Sequence, residues 1–166
     1  MKFFFFYLFS IITDLSAYAQ PGKYAGSKKS LIGKTYTESR NIPGLSGWKF
    51  QQGSMITDVN DPELMTADVF KKGNTFIVLF SIKEDTAKSN FMIADVIEVK
   101  NVLSSQHIMT GTCTEGSNEA MDVVALTKNE TNKEYSKAIK AWRLNRDKRK
   151  AELISPKLVK CMNEGD

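Results

Sequence analysis

The sequence contains few of the residues that most often bind metals or act as catalytic bases. It has one histidine, His107, and two cysteines, Cys113 and Cys161, among 166 residues. A structural zinc site takes about four ligands, usually from closely spaced cysteines and histidines, so these counts argue against one. His107 follows Ser104 and Ser105, but no glycine-containing nucleophile turn accompanies the two serines. The sequence therefore predicts no catalytic residue, no metal and no cofactor.

Long apolar runs are also missing, apart from a short one near the N-terminus. Lys2 is followed by a mainly apolar run at positions 3–12, about half of the roughly 20 residues that span a bilayer. Ala17 and Ala19 then supply the small residues that signal peptidase prefers. We expect residues 1–19 to be a signal peptide cleaved before Gln20, rather than a membrane anchor. The mature protein would then be periplasmic or secreted, with no transmembrane segment.

Internal repeats and low-complexity segments are absent too. Residues 20–30 are small and polar, and we expect them to form a flexible N-terminal segment. Residues 31–166 have the ordinary size of one domain. We therefore expect a single β-rich domain over this range.

Both cysteines follow the predicted cleavage site. In an exported chain an even number of cysteines indicates disulfide pairing, so the sequence predicts a bond between Cys113 and Cys161. Two separate buried thiols are the alternative. The bond would tie the C-terminal tail to the middle of the domain and stabilise it by about 4 kcal/mol on the chain-entropy estimate.

Short β-branched and aromatic runs separated by polar turns dominate the middle of the chain. The run at 75–82 is apolar on both faces, which is typical of a central or barrel strand, and Gly73 and Asn74 before it indicate a tight turn. The gaps between runs are too short for helical crossovers, so neighbouring strands should be antiparallel. The sequence predicts a mainly β fold, an antiparallel meander forming a sheet or small barrel, with one added helix (α+β) as the alternative. We expect strands at 48–50, 55–59, 64–70, 75–82, 91–99 and 121–127, and polar loops at 83–90 and 114–119.

Residues 134–154 fit two local structures. As a helix, positions 135, 138, 139 and 142 form an apolar stripe. As a hairpin, Ala138, Trp142 and Leu144 share one face of a strand, residues 145–149 form the turn, and residues 151–154 return. Periodicity alone favours the helix, and the hairpin stays open as the alternative.

The C-terminal third also carries a recognisable pattern of residues. Its parts are Val124-Ala125-Leu126, Lys140-Ala141-Trp142-Arg143 and Cys161-Met162-Asn163-Glu164-Gly165, with Asn145 and Ile154 between them. This pattern resembles a set of small exported bacterial proteins of uncharacterised activity. Those proteins have a Thr-Gly-Lys type of turn where this chain has Asp147-Lys148-Arg149, and the resemblance therefore implies a hairpin. It implies no activity.

Positive charge is concentrated in the same region. Residues 137–150 hold seven lysines and arginines against one aspartate, a surplus of six, while the whole chain carries +4. The segment is either a structural hairpin, with Trp142 anchored in the core and its cations in water, or a candidate binding site. Its residues are Trp142, Arg143, Arg146, Lys148 and Arg149. If the segment binds a partner, its positive charge indicates an acidic protein or an anionic component of the cell envelope. Nucleic acid is not expected, because an exported protein seldom meets it.

These observations favour an exported, non-catalytic binding protein of unknown partner, and two alternatives stay open. One is a small hydrolase using two carboxylates, which the sequence does not pair: Asp58 and Asp61 are near each other in a polar turn, whereas Asp95 and Glu98 fall on opposite faces of the expected strand. The other is a carrier that holds an apolar ligand in a barrel interior lined by aromatic and branched side chains. The residues proposed for that lining are Phe76, Phe80, Phe91 and Ile93.

Overall fold

The structure is a computed structural model that describes residues 27–57, 63–83, 90–130 and 133–163. The predicted signal peptide lies outside the described residues, as do Asp58 and Asp61. Among the described residues, no helix combines the length and the apolar character needed to span a bilayer.

Antiparallel β-strands make up most of the described chain, which confirms the predicted fold class. One short helix, α1 (Ser27–Leu31), precedes the strands, and 3₁₀ turns occur at Ser39–Asn41 and Pro156–Leu158. The strands are β1 (Thr35–Tyr36), β2 (Lys49–Met55), β3 (Leu64–Lys72), β4 (Thr75–Lys83), β5 (Phe91–Val99), β6 (Gln106–Thr110), β7 (Cys113–Glu115), β8 (Asn118–Glu119), β9 (Val123–Lys128), β10 (Tyr135–Asn145), β11 (Lys150–Ile154) and β12 (Val159–Met162).

The first sheet has the strand order β1-β5-β4-β3-β2. Strand β4 is central, and its interior residues are buried on both faces, as its continuous apolar sequence predicts. Lys72 pairs with Thr75, so Gly73 and Asn74 form a two-residue turn, in which Gly73 adopts φ +59°. Glycine suits this position because it has no Cβ to oppose a left-handed conformation.

The second sheet has the order β6-β9-β10-β12-β7-β8, and β11 also pairs with β10. Strands β10 and β11 form a hairpin in register from Ala141↔Ile154 to Asn145↔Lys150, so the hairpin prediction is confirmed and the helix is wrong. Strand β12 pairs with the other end of the same edge of β10, at residues 135–137. One long strand therefore organises this sheet.

Three local predictions are wrong. The separate strand expected at 55–59 does not form over its described part, because β2 ends at Met55 and the next two residues, Ile56 and Thr57, lie outside any strand. The polar stretch 114–119 is not a loop, because most of it belongs to the hairpin of β7 and β8, with Gly116 at the tip. Ala138 does not share a face with Trp142, because a β-bulge between Ala138 and Lys140 inserts Ile139 into β10. An inserted residue reverses the alternation of faces, and sequence periodicity does not reveal it.

The two sheets enclose a common interior, here called the inter-sheet core. It is built from apolar side chains of both sheets, and burying each large one contributes about 1.5–3 kcal/mol. The outer face of the first sheet is covered by α1 and the chain that follows it. The inter-sheet core includes Met65, Val69, Phe76, Val78, Phe80, Ile97, Val99, Ile108, Val124, Leu126 and Leu144, whereas the outer cluster includes Leu31, Tyr36, Ile42, Leu45, Phe70, Ile77, Leu79, Ile93 and Val96, with Phe91 against it.

This division bears on the residues proposed to line a carrier's interior. Phe76 and Phe80 pack in the inter-sheet core, while Phe91 and Ile93 pack on the opposite face of the first sheet. The four side chains therefore do not line one cavity. The physical reason is that β4 and β5 are buried on both faces of an open sheet instead of closing into a barrel.

The predicted disulfide between Cys113 and Cys161 is confirmed. The two residues are directly opposite each other on β7 and β12. The neighbouring pair exchanges a hydrogen bond from Met162 N–H to Thr112 O, so the cysteines occupy a non-hydrogen-bonded position, where side chains approach most closely. Around the bond lies a third apolar group, here called the disulfide cluster. It comprises Met109, Cys113, Ala120, Val123, Ala125, Ala141, Val159 and Cys161, with Ala138 and Ile154 packed against it.

Candidate functional site

The predicted site residues Trp142 and Arg143 are adjacent on β10 and therefore point to opposite sides of the second sheet. Trp142 packs against the inter-sheet core. Arg143 lies on the side of the disulfide, where its guanidinium is 2.6 Å from Glu115 Oε2 and 3.2 Å from Asp122 Oδ2. The hydrogen bond to Glu115 is the main cause that raises the pKa of Arg143. The two residues do not form one surface.

The other three predicted cations lie in the turn of the hairpin. Arg146 Nε is 3.1 Å from Glu63 Oε2, and Arg149 is 3.3 Å from Oε1 of the same carboxylate. Lys148 Nζ is 2.7 Å from Glu152 Oε1, and this hydrogen bond is the main cause that lowers the pKa of Glu152. Like Arg143, each of these cations faces a carboxylate. Three cations of the turn thus face two carboxylates, and the two arginines tie the hairpin to Glu63 at the start of β3.

A second set of cations lies on the same side of the sheet as Trp142. Lys140 pairs with Leu126, whose side chain is in the inter-sheet core, so both point to that side. Lys137 pairs with Lys160 on β12. Their chain neighbours Ser136 and Cys161 form the adjacent pair on the disulfide side, which places both lysines opposite to it. We call this surface the lysine face; it comprises Tyr135, Lys137, Lys140, Trp142 and Lys160.

The lysine face has uncompensated positive charge. Within the part of the chain that the structure describes, Lys137, Lys140 and Lys160 make no ion pair. Lys137 and Lys160 are directly opposite each other, an arrangement in which like charges repel. Glu130, the acid whose pKa Lys137 helps to lower, is already hydrogen-bonded to Lys133 at 2.8 Å, which is the larger cause. Lys160 Nζ lies 4.6 Å from the centre of the Tyr135 ring.

An apolar groove adjoins the lysine face, and we call it the seam groove. It has a volume of about 480 Å³ and lies between β5 on one wall and the β10–β11 hairpin on the other. Trp142 and Lys140 line it together with Leu153 and Ile139, whose side chains are 71% and 43% exposed. The remaining lining residues are Lys28, Ile97, Glu98, Ala151, Ile154 and Pro156. Apolar side chains this exposed mark candidate interaction sites.

Asp95 on β5 is bonded to Ala151 on β11, one of the residues that line the seam groove. Its Oδ2 accepts the Ala151 N–H at 2.9 Å, its Oδ1 accepts the Val96 N–H at 2.8 Å, and Lys28 Nζ lies 3.3 Å from Oδ1. This carboxylate joins the two sheets, and its oxygens are occupied. Its proposed hydrolytic partner, Glu98, has Oε1 3.5 Å from Lys100 Nζ, while Oε2 is buried without a hydrogen-bond partner.

Over the described residues, no candidate metal site is found. No group of three or more histidine, cysteine, aspartate or glutamate side chains that could hold a metal ion occurs there. His107 Nε2 is 3.2 Å from Thr127 Oγ1 across the β6–β9 pair. The histidine thus bridges two neighbouring strands.

Sequence reasoning did not identify the lysine face or the seam groove. Lys137 and Lys140 belong to the basic segment, but their common face depends on the bulge at Ile139. Lys160 is about twenty positions further along the chain and joins them only through the β10–β12 pairing. The useful sequence signal was the tryptophan among the lysines, which did mark the region.

A comparison with protein-family models, curated proteins and solved structures finds no match for this chain. The resemblance to small exported bacterial proteins therefore stays a prediction.

Proposed function

We propose that this protein is an exported, non-catalytic binding protein that recognises an acidic partner protein. The observation that carries the proposal is the lysine face: three lysines without an ion pair among the described residues, on the same side of the sheet as Trp142. Beside it lies the exposed apolar surface of the seam groove. An apolar and aromatic centre with charges at its margin is the usual composition of a protein interaction site.

The sign of the partner's charge follows from which cations are already compensated. The arginines and lysine around the hairpin turn face carboxylates of their own chain. Lys137, Lys140 and Lys160 make no ion pair with a carboxylate of the described ranges, so a partner with carboxylates gains most at that face. The buried disulfide supports export, because such bonds persist in oxidising compartments.

The two alternative functions have less support. A hydrolase with the Asp95–Glu98 pair would need free carboxylates, yet Asp95 is engaged by two backbone N–H groups and a lysine. A carrier would need an enclosed interior, whereas the seam groove is open. We therefore favour binding of a macromolecular partner over catalysis or transport.

The proposal can be tested by selecting random displayed peptides on the oxidised chain. We expect the enriched peptides to carry a surplus of carboxylates. We expect the double variant Lys137→Glu with Lys140→Glu to bind them at least about tenfold more weakly, because two favourable charges become repulsive.

Lys49→Glu with Lys72→Glu is the matched control. It makes the same change of charge at two exposed lysines on β2 and β3, at the far side of the first sheet. Equal binding to both double variants, or no enrichment of acidic peptides, would contradict the proposal.

A further inference from the structure

We infer that the partner contributes an extended segment, which binds as an added strand along the outer edge of β11 and fills the seam groove. The acidic character of that segment rests on the proposed function. The mode of binding rests on the hydrogen bonds of the hairpin, as follows.

Two backbone bonds fix which way the groups on β11 point. Leu144 N–H donates to Asp122 O at 2.8 Å, on the β9 side of β10 and therefore away from β11. Its partner across the hairpin, Ala151, donates its N–H to Asp95 Oδ2, away from β10. Leu144 and Ala151 are thus a non-hydrogen-bonded pair of the β10–β11 ladder.

Antiparallel ladders alternate between the two kinds of pair, so Trp142 and Leu153 form the next non-hydrogen-bonded pair. The N–H and C=O of Leu153 consequently point outward from the sheet. Of the residues that the structure describes, none is hydrogen-bonded to them on that side. An edge with unpaired backbone groups beside an exposed apolar side chain is a ready template for another strand.

The seam groove has room for the side chains of such a strand. Its volume of about 480 Å³ lies within the roughly 300–1,000 Å³ that is usual for binding pockets. Side chains alternate along a strand, so every second residue of the segment would enter the groove beside Leu153 and Trp142. Lys140 lines the same groove, within reach of a carboxylate on the segment. Backbone pairing would supply affinity, and these side-chain positions would supply specificity.

A second copy of the chain fits this edge less well. Self-pairing at Leu153 would bring two lysine faces, each with uncompensated charge, towards one another, and like charges repel. A foreign segment with apolar residues at alternate positions and carboxylates nearby meets both features of the surface. We therefore assign the edge to an acidic partner.

The test uses the synthetic peptide most enriched in the selection described above. Leu153→Pro removes the outward N–H but leaves the ladder to β10 intact, because this N–H makes no bond within the sheet. Leu153→Thr is the matched control, since it also removes the apolar side chain but keeps the N–H. We expect the proline variant to bind the peptide about tenfold more weakly than the threonine variant, the effect of losing one backbone hydrogen bond.

Equal binding by the two variants would overturn strand addition. If both bind while Lys137→Glu with Lys140→Glu does not, strand addition fails and the proposed function stands. If neither the Leu153 variants nor the double lysine variant changes peptide binding, the proposed function fails as well.

Amide hydrogen exchange in the unchanged chain gives an answer that does not depend on whether the proline variant folds. Leu153 N–H should exchange freely in the chain alone and at least about tenfold more slowly with bound peptide. Slow exchange of Leu153 N–H before peptide is added would overturn the inference, because a segment of this chain or a second copy would already occupy the edge. Sedimentation would distinguish these two occupants by showing whether the chain is a monomer or a dimer. Exchange that stays fast with peptide bound would also overturn the inference.

Discussion

Asp68 is a buried carboxyl group whose contacts constrain two neighbouring residues, Tyr36 and Gly53. It lies on β3 with 4% of its surface exposed and accepts a hydrogen bond from Tyr36 Oη at 2.5 Å. Burial is the main cause that raises the pKa of Asp68, and burial followed by the Asp68 charge raises the pKa of Tyr36. Gly53 lies opposite on β2, where a Cβ would approach Asp68 Oδ1 to 2.5 Å. The glycine is therefore required by the close approach of the carboxylate.

The raised pKa of Asp68 predicts a pH dependence of stability. Because the folded state holds the proton more tightly than the unfolded state, the contribution of this carboxyl is fully present below its ordinary pKa of about 4. The contribution is lost as the pH rises through the raised folded value. We expect the unfolding free energy of the protein to fall relative to that of Asp68→Asn as the pH rises above about 4. Urea unfolding at a series of pH values measures this difference, and a constant difference would contradict the assignment.

The elements differ in how far sequence indicates them. The long β-branched runs of β3, β4 and β5 are predicted because each holds many apolar residues with few interruptions. Strands β1, β7 and β8 have two or three residues each, too few to show alternation. They form because longer neighbours offer backbone partners, which is tertiary information. The bulge at Ile139 is invisible for the same reason, and with it the common face of Lys137 and Lys140.

The disulfide that joins β7 to β12 leads to a prediction about the stability of these two strands. Replacing Cys113 and Cys161 together by serine should lower the unfolding free energy by about 2–4 kcal/mol. In addition, the amide hydrogens of β12 should exchange faster than in the oxidised protein, because this strand pairs with β10 at three positions only and loses its covalent link to β7. Chemical unfolding and hydrogen exchange measure the two effects. Reducing the unchanged protein should reproduce the same loss, and an equal stability of oxidised and reduced protein would refute the structural role.

At the scale of the molecule, the inter-sheet core holds the two sheets together, and the seam groove separates β5 from the β10–β11 hairpin. The core fixes the sandwich, and its residues are those that hydrophobic patterning predicts well. The contacts beside the seam groove are not predicted by such patterning. Asp95, Lys28 and Ala151 are distant in sequence and meet only after both sheets have formed. From the sequence, Asp95 is only one of several carboxylates considered for a hydrolase, whereas its position makes it the residue that joins the sheets. A carboxylate's role depends on its neighbours, which composition does not reveal.

Substituting Asp95 therefore tests whether its carboxylate joins the two sheets or is an ordinary surface charge. Asp95→Ala leaves the N–H groups of Val96 and Ala151 without their acceptor, and each unsatisfied buried group costs about 1–3 kcal/mol. We expect a loss of at least about 2 kcal/mol in unfolding free energy and faster amide exchange at Ala151. Asp122→Ala is the matched control, because it removes a carboxylate from a pair with Arg143 whose side chains are both more than a third exposed, and should cost about 1 kcal/mol or less. Equal losses in the two variants would mean that Asp95 is only another surface charge, and that the seam is held closed by the core alone.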